Sequence, residues 1–366
     1  MKNTLGNSVS VTVFGESHGY GVGAVLDGIA PGIKVDESFI KSQLALRKSI
    51  GEISTARKEE DNFIIVSGVK NGYTTGTPIA IIVPNANVKS EDYDQQKHLA
   101  RPSHADYVAQ EKYHGYQDIS GGGHFSGRIT AGIVAVGGIA ISALRNKGIY
   151  IGTHLKECAC IKDDDFSEDI LSEIEDLNGK NFATISDEQG KKMQEEILRA
   201  KQEGDSVGGV LETVILNVPA GVGEPWFDTL EGEIAKAVFS VPAVKGVEFG
   251  KGFEIAKLRG SQANDAFCIV GDKIKTKTNN SGGINGGISN GNPIVFRTAI
   301  KPTPTIFLEQ DSVDYVNKTE CKIKAKGRHD PAIVHRARVV VDSIVAIVLC
   351  DALSLRYGTD YLGESK

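Results

Sequence analysis

The amino-acid sequence predicts an α+β fold, and the order of its segments is the main reason. Strand-like and helix-like patterns are mixed along the 366 residues without strict alternation, which counts against a Rossmann-type parallel sheet. Two apolar segments, at residues 129–144 and 336–355, have the composition of buried helices. A weak internal echo also indicates that one α+β unit occurs twice.

The echo joins two pairs of segments that occur in the same order. Residues 74–85 (TTGTPIAIIVPN) are similar to residues 289–302 (SNGNPIVFRTAIKP), because each has a glycine, one further residue, a Pro-Ile pair and an apolar run. The apolar segment after SGGGHFSGR is echoed by the one after GRHDPAIVHRA. If the unit is duplicated, each copy would supply one loop to a shared site. The alternative is that the similarity arose by chance.

Local patterns predict the remaining elements. Strands are expected at residues 9–14, 63–69, 79–83, 208–218 and 244–249. Helices are expected at residues 36–48, 104–113, 186–202 and 228–239. Residues 15–32 form a glycine-rich turn in this interpretation. The whole chain, 1–366, is predicted to be a single domain with a charged excursion at about residues 156–204, which would be a lid or an oligomer contact.

Composition and charge exclude several classes of protein. A hydrophobic content of 40% and a charged content of 24% are ordinary for a soluble globular protein. The net charge of −6 counts against nucleic acid as the main partner, so the local basic clusters suit a small anionic ligand better than a polymer. The N-terminus has no apolar signal region and residues 129–144 are short for a membrane span, so we expect a cytoplasmic protein without a membrane partner.

The cysteines predict neither a disulfide framework nor a metal site. Five cysteines are an odd number, and Cys158 and Cys160 are too close together for a zinc ribbon. We therefore expect five reduced and mostly buried thiols. Neither HExxH nor a CxxC pair occurs, so no metal is predicted.

Four short stretches collect side chains that are capable of chemistry. They are GESHG at residues 15–19, RPSHADY at 101–107, GGGHFSGR at 121–128, and GRHDP at 327–331 with Arg336 soon after. Histidine titrates near neutral pH and arginine binds phosphates and carboxylates, so each stretch suits acid–base chemistry on an anion. One histidine in a turn is structural more often than not, but four such stretches predict an active site.

A fifth stretch, residues 281–305, is dense in glycine and ends in Lys-Pro-Thr-Pro-Thr. Glycine permits positive φ and a close approach of a ligand, while the lysine and the threonine hydroxyls suit a phosphate. The stretch is neither of the two common nucleotide-binding motifs. An irregular surface loop is the alternative interpretation.

Taken together, these stretches resemble the chorismate synthase family across almost the whole chain. The matching segments, in order, are GESHG, SGVKNGYTTGTPIA, RPSHADY, the GGG…SGR…TA segment, AVKGVEFG, GGINGGISNG, KPTPTI and GRHDP…RA. The resemblance implies a β-α-β sandwich with an internal pseudo-repeat that assembles as a homotetramer. It implies a lyase that converts 5-enolpyruvylshikimate 3-phosphate to chorismate and phosphate by an anti-1,4-elimination, the last step of the shikimate pathway.

The resemblance also implies a cofactor and a further partner. The family needs reduced FMN, although the reaction has no net redox change, and the flavin is thought to lend electron density to the substrate and recover it. No additional flavin-reductase domain is visible in this chain. NADPH would therefore act indirectly, through an external flavin reductase.

Roles follow from the resemblance residue by residue. His18 would protonate the departing phosphate, His104 would stabilise the charged reduced flavin, and Asp330 would help to remove the proton. The residues expected to hold the substrate are Ser17, Arg47, Arg101, Arg128 and Arg336. Those expected to hold FMN are Arg47, His124, Phe125, Ser126, Pro242, Ala243, Gly286, Lys301, Pro302, Thr303, Pro304, Thr305 and Arg328.

This chain departs from the family pattern at some of these positions. Residues 124–126 are His-Phe-Ser where Arg-Ser-Ser is common, so we expect residues 124 and 125 to contact the flavin through the backbone. Pro242 replaces a frequent asparagine. Ile53 occupies the place of a second loop arginine, for which Arg57 would substitute.

Two other functions were weighed against the lyase. An NAD(P)-linked oxidoreductase would need a dinucleotide-binding fingerprint after a strand, and this sequence has none. A non-enzymatic RNA-binding module would use the basic clusters without the histidines, and the net charge counts against it.

Overall fold

Two antiparallel five-stranded sheets enclose a layer of helices in the computed structural model, which describes residues 2–55, 60–85, 98–324 and 330–363. The first sheet, in spatial order, consists of β1 (Thr4–Leu5), β2 (Ser10–Gly15), β3 (Gly21–Asp27), β7 (Ile79–Pro84) and β4 (Ile64–Ile65). The second consists of β11 (Val244–Phe249), β16 (Ile294–Ile300), β10 (Gly209–Leu216), β8 (Tyr150–Cys158) and β9 (Ile161–Lys162).

The remaining strands form hairpins outside the two sheets. They are β5 (Val69–Lys70) with β6 (Tyr73–Thr74), β12 (Phe267–Val270) with β13 (Lys273–Thr276), β14 (Ile284–Asn285) with β15 (Ile288–Ser289), and β17 (Gln310–Asp314) with β18 (Thr319–Ile323). The helices are α1 (Glu37–Leu46), α2 (Asp106–Tyr113), α3 (Thr130–Asn146), α4 (Ile170–Gly179), α5 (Asp187–Gln202), α6 (Leu230–Phe239), α7 (Gly260–Ala263) and α8 (Val334–Tyr357).

The central helices α3 and α8 pack against each other between the two sheets. α3 also covers β3 and β7 of the first sheet, and α8 covers β8 and β10 of the second. The helices α1 and α6 complete this layer by packing on α3 and α8, respectively. The arrangement confirms both the α+β class and the β-α-β sandwich.

The same topology occurs twice along the chain. The elements β2, β3, α1, β4, β7 and α3 follow one another in the first half, and β8, β10, α6, β11, β16 and α8 follow in the second. The strands of each set also pair in the same spatial order. The internal repeat indicated by the sequence echo is therefore present in the fold, with β7 and β16 as its matching strands.

The apolar segment before Asn146 is a core helix. Residues 127–146 are long and apolar enough to cross a membrane by length and composition, but 89% of the qualifying window is buried inside the protein. Contacts with both sheets and with α8 account for that composition, as the sequence predicted.

The glycine-rich turn predicted for residues 15–32 was wrong in part, because it contains β3. Its glycines serve close packing. A Cβ at Gly23 would lie 2.3 Å from the carbonyl oxygen of Ile81 and 2.4 Å from the ring of Phe14. A Cβ at Gly132 of α3 would in turn lie 2.5 Å from the carbonyl carbon of Gly23. The local pattern indicated a turn because it does not reveal which glycines face another backbone.

The charged excursion lies against the outer face of the second sheet. On β8, Gly152 faces Ile174 of α4, whereas the next residue, Thr153, donates a hydrogen bond to Asp342 of α8. Lys201 of α5 donates to the carbonyl oxygen of Glu52 at 2.5 Å and so joins the excursion to the first half of the chain. Within the described residues, the excursion therefore acts as a cover for the sheet.

A buried histidine anchors that cover. His154 of β8 contacts Asp163 through Nδ1 at 2.7 Å and Glu212 through Nε2 at 3.3 Å. Burial alone would lower the pKa of His154, but hydrogen bonds and charge from the two carboxylates outweigh it and raise the pKa. The imidazolium form of His154 is thus favoured, and it links β8 and β10 to the excursion.

The five cysteines are free thiols, as expected, but they are not mostly buried. Cys158 and Cys350 are buried, Cys160 is exposed, and Cys268 and Cys321 are half-buried. Cys160 lies in a turn, and Cys268 and Cys321 lie in two peripheral hairpins. The sequence pattern does not distinguish a surface strand of this kind from a core strand.

We predict that Gly137→Ala destabilises the protein. Alanine is favoured over glycine in a helix by about 1 kcal/mol, but the added Cβ would lie 2.3 Å from the Cβ and 2.8 Å from the Cα of Ser343 on α8. Overpacking of this kind costs about 1–3 kcal/mol, so the urea midpoint should fall. The matched control is Gly179→Ala in α4, where nothing lies within 4 Å, and its midpoint should stay or rise. A midpoint for Gly137→Ala equal to that of the control would contradict a tight α3–α8 contact.

Candidate active site

The glycine-rich turn between α2 and α3 is the centre of the candidate site. Gly121, Gly122 and Gly123 have φ values of 60°, 91° and 51°, a run of left-handed backbone that residues with a side chain rarely adopt. The turn is fastened to the end of β2 at two points. Ser17 N donates to Gly123 O at 3.1 Å, and His124 Nδ1 donates to Gly15 O at 2.8 Å.

His18 lies directly against this turn and is oriented by Ser17. The Ser17 hydroxyl donates its proton to Ser120 O at 3.0 Å, so its oxygen accepts from His18 Nδ1 at 2.9 Å. Nδ1 of His18 is therefore occupied by the Ser17 hydroxyl. A Cβ at Gly121 would lie 2.0 Å from Cε1 of His18, so glycine is needed there. Ser17 is only 1% exposed.

His104 is held by a salt bridge between its neighbours in the RPSHADY stretch. Asp106 accepts from Arg101 Nε at 2.7 Å and Nη2 at 2.6 Å, and from His104 Nδ1 at 2.8 Å. Burial opposes the ionisation of Asp106, but the hydrogen bonds and charges of Arg101 and His104 hold its pKa well below the usual range. The three side chains thus form one rigid ion group at the start of α2.

The two histidines share the same glycine turn. A Cβ at Gly122 would lie 3.5 Å from Cε1 and 3.7 Å from Nε2 of His104, just as Gly121 faces His18. Because consecutive Cα atoms are about 3.8 Å apart, the facing ring atoms lie within about 13 Å of each other. Two imidazoles therefore lie against neighbouring positions of a single turn.

The lysine of the Lys-Pro-Thr-Pro-Thr segment reaches the His104 loop. Lys301 Nζ donates to Ser103 O at 2.5 Å, and Lys301 N donates to Ala243 O at 2.9 Å. Burial and the charge of nearby Lys245 both lower the pKa of Lys301. The buried hydroxyl of Thr303 has no hydrogen-bond partner. Two adjacent cations and an unsatisfied hydroxyl fit an anionic ligand group.

Several predicted cofactor residues lie beside Lys301, but Gly286 does not. Pro242 is exposed next to Ala243, and Pro302, Pro304 and Thr305 continue the same segment. Gly286 is at the tip of the β14–β15 hairpin, before the first residue of β16, whereas Lys301 follows its last residue. The seven residues of β16, which span about 20 Å, therefore lie between Gly286 and Lys301 in the chain.

Arg47 and Arg128 are buried and share one carboxylate. Asp61 accepts from Nη1 of Arg47 at 3.0 Å and forms a short contact with Nη1 of Arg128. Arg47 also donates to Thr130 Oγ1 and to Gly127 O, at 3.2 and 3.1 Å. The two guanidinium groups predicted to bind substrate are thus engaged by the protein itself.

The same network holds the loop that carries His18. Arg128 Nε donates to Asn85 Oδ1 at 2.9 Å, and Asn85 Nδ2 donates to the carbonyl oxygens of Glu16 and Gly19, at 3.0 and 2.9 Å. The position of His18 therefore depends on Asp61 through two side chains.

Asp330 and Arg336 are joined to this network at the start of α8. Asp330 accepts from Arg336 Nη1 at 2.7 Å and from the backbone N of Thr55 at 2.8 Å. Arg336 Nε donates to Arg47 O at 2.6 Å. Both side chains remain partly exposed, at 16% and 24%.

An open groove of about 790 Å³ adjoins His104. Arg101, His104 and Tyr107 line one side, and Ser312 and Lys322 of the β17–β18 hairpin lie on the other. Ala100, just before the RPSHADY stretch, pairs with that hairpin, since its backbone N donates to Val313 O at 3.0 Å. The groove gives a small molecule access to the histidine.

The structure thus brings most of the predicted residues to one end of the sandwich. Ser126 caps the turn before α3 by accepting from Arg128 N at 3.3 Å, and Phe125 packs edge-on against Tyr113. Arg57 and Arg328 lie outside the described residues. Asp61, Asn85 and Asp106 were not predicted. Asp106 stands in the RPSHADY stretch and could have been found there, but nothing around Asp61 or Asn85 in the sequence indicates a role.

Together, the fold and the site define an enzyme that acts on a small anionic molecule. Two histidines, partly exposed arginines and a lysine surround a glycine turn at the point where the two halves of a repeated α+β unit meet.

A sequence model described as chorismate synthase matches residues 9–354. The chorismate synthase of Pyrococcus abyssi is 49% identical over 351 residues, which are 96% of this chain and 97% of that protein. The chorismate synthase of Dehalococcoides mccartyi is 45% identical over 98% of each chain. A crystal structure of chorismate synthase superposes with a TM-score of 0.77 at 32% identity, covering 97% of this chain and 94% of the other.

The chain belongs to the chorismate synthase family. It is a carbon–oxygen lyase that eliminates phosphate from 5-enolpyruvylshikimate 3-phosphate to give chorismate, the shikimate-pathway step that leads to the aromatic amino acids. The family depends on a reduced flavin.

We predict that Asp61→Asn strongly destabilises the protein, because two buried guanidinium groups would lose their shared counter-charge. Removing one partner of a buried pair costs about 3–5 kcal/mol, so the urea midpoint should fall clearly. The control, Asp187→Asn, removes a side chain that is 82% exposed and pairs with Lys180, and should change stability little. Wild-type stability in Asp61→Asn would instead show that Arg47 and Arg128 have other compensation and are available to substrate.

Proposed function

We propose that His18 and His104 are the acid–base groups of this phosphate elimination and that the flavin is FMN. The observation that carries the proposal is the shared turn: each imidazole faces one of two consecutive glycines, Gly121 and Gly122, and each has Nδ1 bound to an oxygen of the protein. Nδ1 of each ring is therefore held by the protein, and we assign proton exchange to Nε2. Two oriented imidazoles suit a reaction in which a leaving phosphate and a charged cofactor both need a positioned proton.

In this scheme His18 protonates the departing phosphate. A phosphate group leaves more readily when its developing charge is neutralised, and an imidazolium near neutral pH supplies the proton. The Ser17 hydroxyl keeps the ring in one orientation, since it is itself fixed by Ser120 O. Ser17, which was predicted to touch the substrate, then acts through His18.

Arg101 and Arg336 are the arginines best placed to bind the substrate. Each is partly exposed and spends two nitrogens on protein partners, so one nitrogen of each guanidinium remains for a phosphate or carboxylate oxygen. Arg47 and Arg128 are only 8% and 7% exposed, and we assign them to holding the His18 loop. Asp330, fixed by Arg336 and Thr55, is the carboxylate that assists proton removal.

The residues around Lys301 fit the phosphate end of FMN. A phosphate there would relieve the repulsion between Lys301 and Lys245 and would give the unsatisfied Thr303 hydroxyl a partner. When bound, the reduced flavin would supply electron density to the substrate and recover it. The His124 side chain is committed to Gly15 O, so residues 124 and 125 would offer the flavin backbone groups, as the sequence suggested.

We assign Gly286 to the flavin site of a second copy of the chain, within a homotetramer. Its separation from Lys301 by the length of β16 supports this assignment. Large exposed apolar residues on the β12–β13 hairpin support an assembly as well, since Phe267, Ile269 and Ile274 are 70%, 71% and 67% exposed. These faces would be covered in the tetramer.

The source of reduced FMN is assigned to an external flavin reductase that uses NADPH, and the location to the cytoplasm. Both assignments follow the correspondence of residues with the family. The buried position of Arg47 supports the first, because this side chain offers little surface to a nucleotide.

We predict that the purified chain releases phosphate from 5-enolpyruvylshikimate 3-phosphate when chemically reduced FMN is supplied without oxygen. His104→Ala should lower kcat by about 10²–10⁴-fold, the usual contribution of an acid–base group. The matched control is His114→Asn, an exposed residue with φ of 57°, which asparagine tolerates, and its kcat should match wild type.

The same assay separates the parts of the proposal. No turnover with reduced FMN would end the FMN assignment, and a His104→Ala variant as active as the control would remove His104 from the chemistry. With oxidised FMN and NADPH, turnover should require added flavin reductase. Turnover without it would show that the chain reduces its own flavin.

We predict that Lys301→Met weakens FMN binding, because it removes the cation assigned to the phosphate. The dissociation constant, followed by flavin fluorescence, should rise by about tenfold, as expected for a charge-assisted hydrogen bond worth about 1.4 kcal/mol. Riboflavin, which lacks the phosphate, should bind the variant and the wild type alike. The control is Lys192→Met on α5, whose side chain is 49% exposed. Equal weakening for riboflavin would place Lys301 away from the phosphate.

A further inference from the structure

Asp106, the first residue of α2, is saturated with hydrogen bonds. Oδ2 accepts from the backbone N and the Nε of Arg101, at 3.0 and 2.7 Å. Oδ1 accepts from Nη2 of Arg101 at 2.6 Å and lies 2.8 Å from Nδ1 of His104. The carboxylate is thus fixed by one neighbour and contacts the imidazole of the other.

The contact geometry decides where the proton of His104 resides. Arg101 Nη2 lies 3.1 Å from Nδ1 and has a second N–H that can donate to a lone pair there, but the carboxylate oxygen Oδ1 of Asp106 is nearer to Nδ1, at 2.8 Å. If Nδ1 carried a lone pair, that lone pair would face the carboxylate oxygen at 2.8 Å. An ionised carboxylate only accepts, so the compatible arrangement has the proton on Nδ1, donated to Asp106.

We propose that Asp106 is a positioning residue for the elimination, which keeps a proton on Nδ1 of His104 and leaves Nε2, on the Gly122 side, to exchange protons with the reacting groups. This inference rests on the proposed acid–base role of His104. Asp106 has a second effect, since its charge allows an arginine and a protonated imidazole to lie 3.1 Å apart.

The surrounding loop supports this role. Ser103 adopts a φ of 57°, which folds the chain back so that Arg101 and His104 both meet Asp106. Lys301 donates to the carbonyl oxygen of Ser103 and holds that fold from the second half of the chain. Burial would raise the pKa of Asp106, but its hydrogen-bond partners hold that pKa well below the usual range. The carboxylate therefore remains an acceptor throughout the working pH range.

The decisive experiment is ¹⁵N NMR of the imidazole rings in the flavin-free chain, with His104 assigned from its missing signals in His104→Ala. In the wild type, neutral His104 should carry its proton on Nδ1. In Asp106→Asn, the ring should shift toward the Nε2–H tautomer, because the anion that accepts from Nδ1 has been removed. In the loaded enzyme, kcat should fall by about 10²-fold with KM little changed, and Asp106→Glu should restore the tautomer and part of kcat.

The control is Asp176→Asn on α4, whose side chain is 64% exposed and pairs with Lys180, and it should alter neither the tautomer nor kcat. An unchanged tautomer in Asp106→Asn would overturn the inference, even if activity were lost. If Asp106→Asn does not fold, an Nε2–H tautomer in the wild type or in Asp106→Glu would overturn it equally. Retained activity in His104→Ala would instead overturn the proposed function, whatever the tautomer of the ring.

Discussion

The packing of α3 against α8 is the contact on which the position of the site depends. Gly137 and Ser343 meet in the middle of the two helices, at a distance that excludes any larger residue at Gly137. Their first turns are also joined, since Arg47 donates to Gly127 O ahead of α3 and accepts from Arg336 of α8. The two helices therefore begin side by side. Because helix N-termini carry a partial positive charge, this end of the sandwich favours anions before any side chain is counted.

The arginines of the site are then held in place by carboxylates. Asp61, Asp106 and Asp330 each fix one or two guanidinium groups, and without them several cations would repel one another in a small volume. Burying such pairs contributes little net stability, since the loss of hydration offsets the attraction. Their benefit is geometric, because a guanidinium that is already oriented loses less freedom when an anionic substrate arrives.

The sequence was most informative where a signal is local. The helix expected at residues 36–48 begins at Glu37, where Asp36 accepts from the N–H groups of Ser38 and Phe39. The histidine stretches were likewise found from their composition. β3 was missed because glycines that permit close packing are indistinguishable in sequence from glycines that form a turn. Contacts such as the one between Asp61 and Arg128 join residues 67 positions apart and leave no trace in either stretch.

The stretch 281–305 is divided by a strand of the second sheet. Its glycines and its lysine appear to form one unit, but β16 runs between them and separates them to opposite ends of a sheet. The reason lies in the repeat. In each half, the segment after the matching strand, β7 or β16, leads to the central helix, so the segments that follow the two strands meet at the site. Lys301 therefore contacts Ser103 of the other half. Duplication of the unit explains why these two residues, 198 positions apart, are neighbours at the site.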